Sequence, residues 1–352
     1  MESKYSNPED LGGHGVPQGS ILGPLIFVIF NNDFPASSVE GDSVLYADDS
    51  TVNVSDDDPE KLEEKIQNEA RRATEWAKDN RMVCSGKKTK LLIIGTAQLK
   101  KNKLGDRDIS IEVCGQTVKE SKSEKLLGLI VNNQHTWKEY LFGEHWRQDG
   151  NAPGLIPQLS QRVGLLRKVV HLMPLERFNT ICQGIFYSKM IYCLQIIGNV
   201  WGNLDNDDTS RRYAAFTKED NRKLQTLQNQ VLRLKTNLPR LTPTSTLLSV
   251  SGDLSVQQLT AFHTLSSLHK VLYSGKPRYL RNKLQINNNM TRQEKTIIIN
   301  HSNLSLRRGA YIYRGAIMFN NLPMELRNNM EPDLFKAEVK SWIKNNISAK
   351  PT

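Results

Sequence analysis

The stretch SVLYADDSTV, residues 43–52, sets two adjacent acidic residues at the centre of a segment that otherwise alternates like β-structure. The apolar residues 44–46 predict one short strand, and residues 50–54 predict its partner, because Val52 and Val54 fall on one face and Thr51 and Asn53 on the other. Asp48 and Asp49 then fall in the short connection between the strands. This pattern constrains the fold more than any other in the chain, because it predicts an antiparallel hairpin with two carboxylates at its tip.

Two interpretations of this acidic pair remain open at this point. Asp is common in tight turns, because its side chain can bond nearby backbone groups and it tolerates unusual backbone angles. Alternatively, a rigid hairpin tip presents two hard oxygen ligands of the kind that Mg²⁺ prefers. The spacing of Asp48 and Asp49 does not decide between a turn and a cation site.

The distribution of charge in the chain is uneven. The first 60 residues contain one basic side chain, Lys4, whereas the whole chain of 352 residues has a net charge of +10. An acidic segment beside a long basic one suits a cation site next to a polyanion, because Lys and Arg bind phosphates with release of counterions. A basic surface without a partner explains the same charge, since net charge bears on association rather than on fold.

Length and composition exclude several classes of protein. A chain of this length with 38% hydrophobic residues buries a sizeable core, and we expect two or three domains. The longest apolar runs, residues 21–30 and 190–201, are too short to span a bilayer, and the polar start is unlike a signal peptide. No CxxC pair is present, so a zinc knuckle or a disulfide framework is not predicted. We therefore expect an intracellular chain, in the cytoplasm or the nucleus, without a membrane partner; the oligomeric state is not indicated.

A glycine-containing loop precedes a strongly apolar helix upstream of the hairpin. The segment GHGVPQGSILGPLIF, residues 13–27, has Pro24 where the first turn of a helix is expected, a position at which its missing N–H costs nothing. The apolar residues that follow are spaced for one helical face, and we expect them to be buried: Leu22, Leu25, Ile26, Ile29 and Phe30. The Walker spacing of a P-loop is absent.

Three segments together carry a family resemblance: GVPQGSILGPLIF, then LYADD, then VCSGKKTKLLIIG. In this order they resemble the palm of the reverse transcriptases of non-LTR (LINE-type, jockey-like) retrotransposons, and SEKLLGLIVN, residues 123–132, is similar to the primer-grip segment that follows the palm. The resemblance implies an RNA-directed DNA polymerase, a nucleotidyltransferase that uses an RNA template, a DNA primer, deoxynucleotide triphosphates and Mg²⁺.

The resemblance also implies roles for individual residues. Asp48 and Asp49 match the paired aspartates that hold Mg²⁺, and Tyr46 is the aromatic residue of the same motif. Lys88 matches a catalytic lysine near the phosphates of the substrate. The remaining matched residues are implied to position the nucleotide, template or primer end: Gly15, Pro17, Gln18, Gly19, Leu127 and Gly128.

The implied fold is α+β. Residues 1–132 are expected to form a partial right-hand polymerase palm, with an antiparallel sheet, helices and the primer-grip segment. Residues 133–240 are expected to form a helical, thumb-like connector, and residues 241–352 a C-terminal basic region for which the sequence indicates no role. Within the connector, an apolar stripe from Leu155 to Val170 predicts a helix with basic residues outside it.

Four elements are predicted between the acidic hairpin and the primer-grip segment. Acidic residues, then Pro59 and an apolar stripe, predict a helix in residues 56–80. Residues 91–96 predict a strand, residues 100–108 an exposed basic loop, and residues 110–118 a hairpin around Cys114 and Gly115.

One departure from the family bears on catalysis. The family's palm holds a third carboxylate on a strand upstream of the PQG loop, and only a short polar stretch precedes Gly15, so we expect an N-terminally truncated palm without that strand or the fingers. Two Mg²⁺ ions about 4 Å apart repel by roughly 16 kcal/mol at an effective dielectric constant near 20. Two aspartates are expected to hold one Mg²⁺ weakly, so this chain is expected to be catalytically incomplete. The alternatives are a non-catalytic nucleic-acid-binding module and a non-functional retroelement remnant.

Two further predictions concern the last part of the chain. Residues 238–249, rich in Thr, Pro and Ser, predict a linker. Residues 306–323 combine Arg307, Arg308 and Arg314 with Tyr311 and Tyr313, a composition compatible with base stacking; buried aromatic residues on a strand, with arginines that extend to solvent, explain it equally well.

Overall fold

The computed structural model describes residues 19–82, 84–95, 97–105, 107–143, 153–200, 216–289, 294–299 and 310–349. Three predicted site residues, Gly15, Pro17 and Gln18, lie outside the described residues. The chain divides into two compact units, Met1–Lys122 and Ser123–Thr352. Helices and small antiparallel sheets are mixed in it, which confirms the α+β class. The division into three domains stays a prediction.

The first unit combines helices with two hairpins. Its helices are α1 (Gly23–Phe30), α2 (Phe34–Ser37), α3 (Pro59–Asp79) and α4 (Ala97–Lys103). Its strands are β1 (Asp42–Tyr46), β2 (Asp49–Asn53), β3 (Ser110–Val113) and β4 (Gln116–Lys119), paired β1 with β2 and β3 with β4.

Helix α3 forms as the sequence predicts. The Asp58 side chain caps it by accepting a hydrogen bond from the Glu60 amide at 3.0 Å, and Pro59 occupies the first turn. The apolar face of α3 covers a small core formed mainly by Leu91, Ile93 and the β3–β4 hairpin. The side chains of α3 that pack against this core are Leu62, Ile66 and Ala70.

Helix α1 begins and ends close to the predicted positions, but the prediction that its apolar side chains are buried is wrong. Ile29 is 66% exposed, and Leu22, Leu25, Ile26 and Phe30 are exposed as well. A helix that is apolar on all sides needs neighbours on all sides, and one described contact of α1 with another helix lies at its C-terminal end, where the rings of Phe30 and Trp76 are 6.2 Å apart.

Residues 91–95 do not form the predicted strand. Leu91 makes one parallel bridge to Glu120, and residues 92–95 have no strand partner among the described residues. The following basic segment, predicted as a loop, is helix α4. A strand needs a partner along its length, and here backbone pairing with the segment after β4 is limited to Leu91, whose carbonyl also accepts from the Ser121 amide.

The second unit is mainly helical. It begins with the hairpin β5 (Ser123–Leu126) and β6 (Leu129–Asn132), and its other described pair is β7 (Ile286–Asn289) with β8 (Glu294–Ile297). The helices are α5 (Lys138–Phe142), α6 (Leu155–Val169), α7 (Leu175–Cys182), α8 (Ser188–Met190), α9 (Leu194–Ile197), α10 (Lys218–Thr236), α11 (Thr244–Ser251), α12 (Val256–Ser274), α13 (Arg278–Asn282), α14 (Tyr311–Asn320), α15 (Met324–Asn328) and α16 (Pro332–Asn346). A π-helix, Gln183–Tyr187, joins α7 to α8.

Two apolar cores stabilise the second unit. The stripe predicted on α6 is confirmed, because Leu155, Leu159, Val163 and Leu166 are buried in the first core with residues of α7 and α10. The second core packs α12, α14 and α16 together, and it includes Phe319 and Phe335. No helix among the described residues is long and apolar enough to cross a membrane.

One prediction for this unit is wrong, and one of two open interpretations is excluded. Residues 244–251 form α11 rather than part of a linker, because Pro243 permits a helix to begin and Leu247 and Leu248 are buried against Leu232. Residues 311–320 form α14 rather than a strand, with its buried side chains packed on α12. Arg307 and Arg308, which precede α14, lie outside the described residues.

Candidate functional site

The predicted carboxylate pair lies at the tip of the β1–β2 hairpin. Tyr46 pairs directly with Asp49, so the turn contains only Ala47 and Asp48, and Asp49 begins β2 rather than lying in the connection. Ala47 has φ 52, in the left-handed region that costs an L-residue about 1–2 kcal/mol. The hairpin therefore keeps a two-residue turn in which a strained Ala precedes the acidic pair.

Both carboxylates at this tip are exposed to solvent. Among the residues that the structure describes, neither Asp48 nor Asp49 has a hydrogen bond or an ion pair through its side chain. Tyr46, which is 65% exposed, lies on the same face of the hairpin as Asp49, because directly opposed residues of an antiparallel pair project to the same side. The side chains of the acidic pair are thus available to a ligand from solvent.

The base of the hairpin is closely packed. A Cβ atom added at Gly41 would lie 2.9 Å from the Asn53 carbonyl oxygen and 3.0 Å from side-chain carbons of Val52 and Val54. The absence of a side chain at Gly41 thus lets the segment before β1 approach β2.

Glu69 of α3 ties the segment before β1 to the rest of the unit. Its carboxylate accepts hydrogen bonds from the Ser38 hydroxyl at 2.6 Å, the Val39 amide at 2.9 Å and the Glu40 amide at 2.7 Å. Arg72 donates to the same carboxylate at 2.8 Å. Burial alone would raise the pKa of Glu69, but these hydrogen bonds together lower it.

Sequence reasoning missed Glu69. It is 4% exposed, and it lies on the apolar face of α3, three residues after Ile66. An acidic residue within an apolar stripe was the available signal, because a buried carboxylate needs several hydrogen-bond partners. Here those partners come from the loop that leads into the hairpin.

Lys88 lies in a turn of its own rather than on the hairpin. The Ser85 carbonyl accepts from the Lys88 amide at 3.0 Å, and the Lys88 side chain is exposed. Gly86 of this turn is buried against the β3–β4 hairpin. No hydrogen bond or ion pair among the described residues joins Lys88 to Asp48 or Asp49. Its role near a substrate stays a prediction.

Leu127 and Gly128 form the turn between β5 and β6 of the second unit. Both have positive φ, 47 for Leu127 and 86 for Gly128, as expected of a two-residue hairpin turn that matches the twist of its strands. The Tyr192 hydroxyl donates to the Leu127 carbonyl and ties the turn to the helical part of the unit. In the first unit, Gly19 also has positive φ, 85, and is exposed just before α1.

The acidic pair fits Mg²⁺ in donor type, because aspartate oxygens are hard ligands. No group of three or more His, Cys, Asp or Glu side chains that could hold a metal ion occurs within the described part of the chain. The protein ligands available at the hairpin tip are therefore Asp48 and Asp49, and water or a ligand must complete the six-fold coordination of Mg²⁺.

A cluster of basic side chains lies in the second unit, on β5, α6 and α8. The pKa of Lys189 is lowered by its partial burial and then by the positive charges of Arg162 and Lys125. Arg162 also donates to the carbonyl of Ile185 in the π-helix. This arrangement concentrates positive charge beside the exposed Leu127–Gly128 turn, a charge distribution that attracts anions.

No protein-family model, curated protein or solved structure matches this chain.

Proposed function

We propose that this chain is an RNA-directed DNA polymerase domain of the non-LTR retrotransposon type, with a partial palm in residues 1–132 and a thumb-like region in residues 133–240. The observation that carries the proposal is the hairpin tip, in which the two-residue turn Ala47–Asp48 and the first residue of β2 leave the carboxylates of Asp48 and Asp49 exposed. The sequence resemblance of the three segments around this hairpin is its second support. An ordinary turn explains one acidic residue there, but it does not explain two carboxylates kept without partners among the described residues.

The residues of the proposed polymerase site have different roles. Asp48 and Asp49 hold Mg²⁺, which when bound neutralises negative charge on the phosphates of the nucleotide. Tyr46 presents its ring beside Asp49 on the exposed face of the hairpin, where it contacts the nucleic acid. Lys88, exposed on its turn, offers a positive charge to the triphosphate.

The chain by itself does not polymerise under this proposal. Two neighbouring carboxylates on one hairpin tip approach a cation from one side, and they do not offset the repulsion between two Mg²⁺ ions. A third carboxylate has to come from elsewhere. The exposed apolar side chains of α1 give a second polypeptide a surface to cover, so activity is expected only in a complex with a polypeptide that supplies a further carboxylate.

A second candidate function is nucleic-acid binding without catalysis. The basic cluster of Lys125, Arg162 and Lys189 favours it, because three cations gathered on one surface suit a phosphate backbone. This function and the polymerase function share the same partners, RNA and DNA, and differ in whether the acidic hairpin takes part.

A primer-extension assay tests the proposal. The purified chain, an RNA template annealed to a DNA primer, deoxynucleotide triphosphates and Mg²⁺ are expected to give no extended product, while the chain binds the template–primer duplex with an affinity that falls as salt is raised. Adding a separate polypeptide with fingers and an upstream palm strand is expected to produce extension. The Asp48→Ala variant is the matched control, since it is expected to bind the duplex but to give no product in the mixture.

The outcomes separate the candidates. Extension by the chain alone, abolished in Asp48→Ala, would contradict the expected incompleteness and establish a complete polymerase. Binding without extension in any mixture would leave the nucleic-acid-binding module. Absence of both extension and salt-dependent binding would refute both proposals.

A further inference from the structure

Two cysteines that are distant in sequence lie together in the first unit. Cys84 precedes the turn that holds Gly86, and Cys114 lies in the turn between β3 and β4. A Cβ atom added at Gly86 would lie 2.9 Å from the Val113 carbonyl oxygen and 2.8 Å from Gln116, so the two turns are in direct contact. The residues on either side of Cys114 thus pack against the segment that begins with Cys84.

The two thiols differ in exposure. Cys114 is exposed at a turn position with φ 51, followed by Gly115 with φ 71. Cys84 is half-buried, packs against the small core of the unit, and has its sulfur 4.0 Å from the Ala73 carbonyl oxygen. Burial raises the pKa of the Cys84 thiol first, and the adjacent Cys114 thiol raises it further. An exposed thiol that reacts first with an oxidant, with a second thiol beside it that resolves the mixed disulfide, is a common arrangement of redox-sensitive cysteines.

We propose that Cys84 and Cys114 form a reversible dithiol–disulfide pair, with a small-molecule disulfide as the oxidant. The Cys114 thiolate attacks one sulfur of the oxidant, the oxidant's disulfide bond breaks, and one small thiol leaves with a proton from solvent. The Cys84 thiolate then attacks the mixed disulfide at the Cys114 sulfur. The Cys84–Cys114 bond forms, and the second small thiol leaves. Two cysteine thiols are oxidised, and one small-molecule disulfide is reduced to two thiols.

The disulfide acts on the turn that carries Lys88. Lys87 and Lys88 follow Cys84 closely, so a covalent bond to the β3–β4 turn fixes the base of this basic turn. The other two cysteines are placed differently: Cys182 is buried, its pKa is raised by burial to about 11, and Cys193 is half-buried in the second unit. The pair is therefore the expected first site of oxidation, and its formation does not depend on the proposed polymerase function.

Oxidised glutathione, followed by mass spectrometry of the full chain and of its peptides without reduction, tests the pair. The expected result is a loss of two hydrogen atoms, a peptide linking Cys84 to Cys114, and full reversal by a dithiol. Cys84→Ser is expected to accumulate a glutathione adduct at Cys114, because the resolving thiol is missing. Cys193→Ser, the matched control, is expected to form the internal disulfide as the wild type does.

The wild-type peptide map alone can overturn the proposal, so a variant that fails to fold does not weaken the test. A glutathione adduct that persists at Cys114 of the wild type, a disulfide between two chains, or no change in mass would each contradict the proposal. Since activity is not the readout, loss of the proposed polymerase function would leave this result unaffected.

Discussion

Replacing Glu69 by Leu is expected to lower the stability of the hairpin region by about 4 kcal/mol, because two backbone amides, a hydroxyl and Arg72 lose a buried charged acceptor. Glu69→Gln keeps a neutral acceptor and is expected to cost about 2 kcal/mol. Hydrogen exchange of peptides covering residues 38–55, read by mass spectrometry, measures the loss of stability in the first unit separately from the second unit. The matched control is Glu75→Leu on the exposed side of α3, expected to change stability by less than about 0.5 kcal/mol.

The same glutamate predicts a dependence on pH. Because folding lowers the pKa of Glu69, its contribution is fully present above the ordinary glutamate value of 4.5 and is lost as pH falls through the lower folded pKa. The difference in protection between the wild type and Glu69→Gln is therefore expected to shrink as the pH falls below about 4.5 and through the lower folded pKa of Glu69. A difference that stays constant over this range would show that the carboxylate charge does not stabilise the segment before β1.

Arg314→Met is expected to destabilise the second unit by about 3 kcal/mol, because the carbonyl oxygen of buried Gly198 and two partly buried carbonyl oxygens lose a charged donor. Arg314 is 6% exposed, and its guanidinium donates to the carbonyls of Ile196 at 2.7 Å, Gln195 at 3.4 Å and Gly198. These carbonyls lie at the C-terminal end of α9, where a positive charge also interacts favourably with the helix dipole.

Chemical denaturation followed by circular dichroism, with hydrogen exchange of peptides from α9 and α14, measures the effect of Arg314→Met. The matched control is Arg177→Met on the exposed side of α7, where a change within about 0.5 kcal/mol is expected. Equal stability of the two variants would show that these hydrogen bonds of Arg314 do not stabilise the second unit.

The sequence predicts an element well when the pattern within that element decides its structure. Helices α3 and α6 follow from a long apolar stripe, and Pro59 marks the start of α3. The hairpins around Asp48, Cys114 and Leu127 follow from short alternating strands with two-residue connections. In these cases local geometry and burial agree, so sequence spacing is sufficient.

Other elements depend on partners that are distant in sequence. Residues 311–320 are rich in aromatic and branched residues, but they form a helix, because one face packs on α12 while Arg314 reaches the carbonyls of α9. Helix α11 similarly depends on burial of Leu247 beside Leu232. Neither contact can be derived from the pattern of a single segment.

The candidate site also contains residues whose position the sequence predicts and residues whose position depends on distant contacts. The position of Asp48 and Asp49 on a hairpin tip follows from the sequence, whereas Glu69 emerges as the residue that holds the approach to β1 only once α3 and residues 38–40 are seen together. The separate turn of Lys88 depends on contacts of Gly86 with the β3–β4 hairpin, which no local pattern encodes.

Cation binding at the hairpin tip tests the central claim most directly. In protein labelled with fluorotyrosine, Mn²⁺ is expected to broaden the fluorine resonance of Tyr46 at lower concentrations than that of Tyr279, which is 58% exposed and serves as the internal control. Mg²⁺ is expected to reverse the broadening by competition, and the Asp48→Asn/Asp49→Asn variant is expected to abolish the preference for Tyr46. Broadening of Tyr46 no stronger than that of Tyr279, or unchanged in the variant, would contradict a cation site at this hairpin.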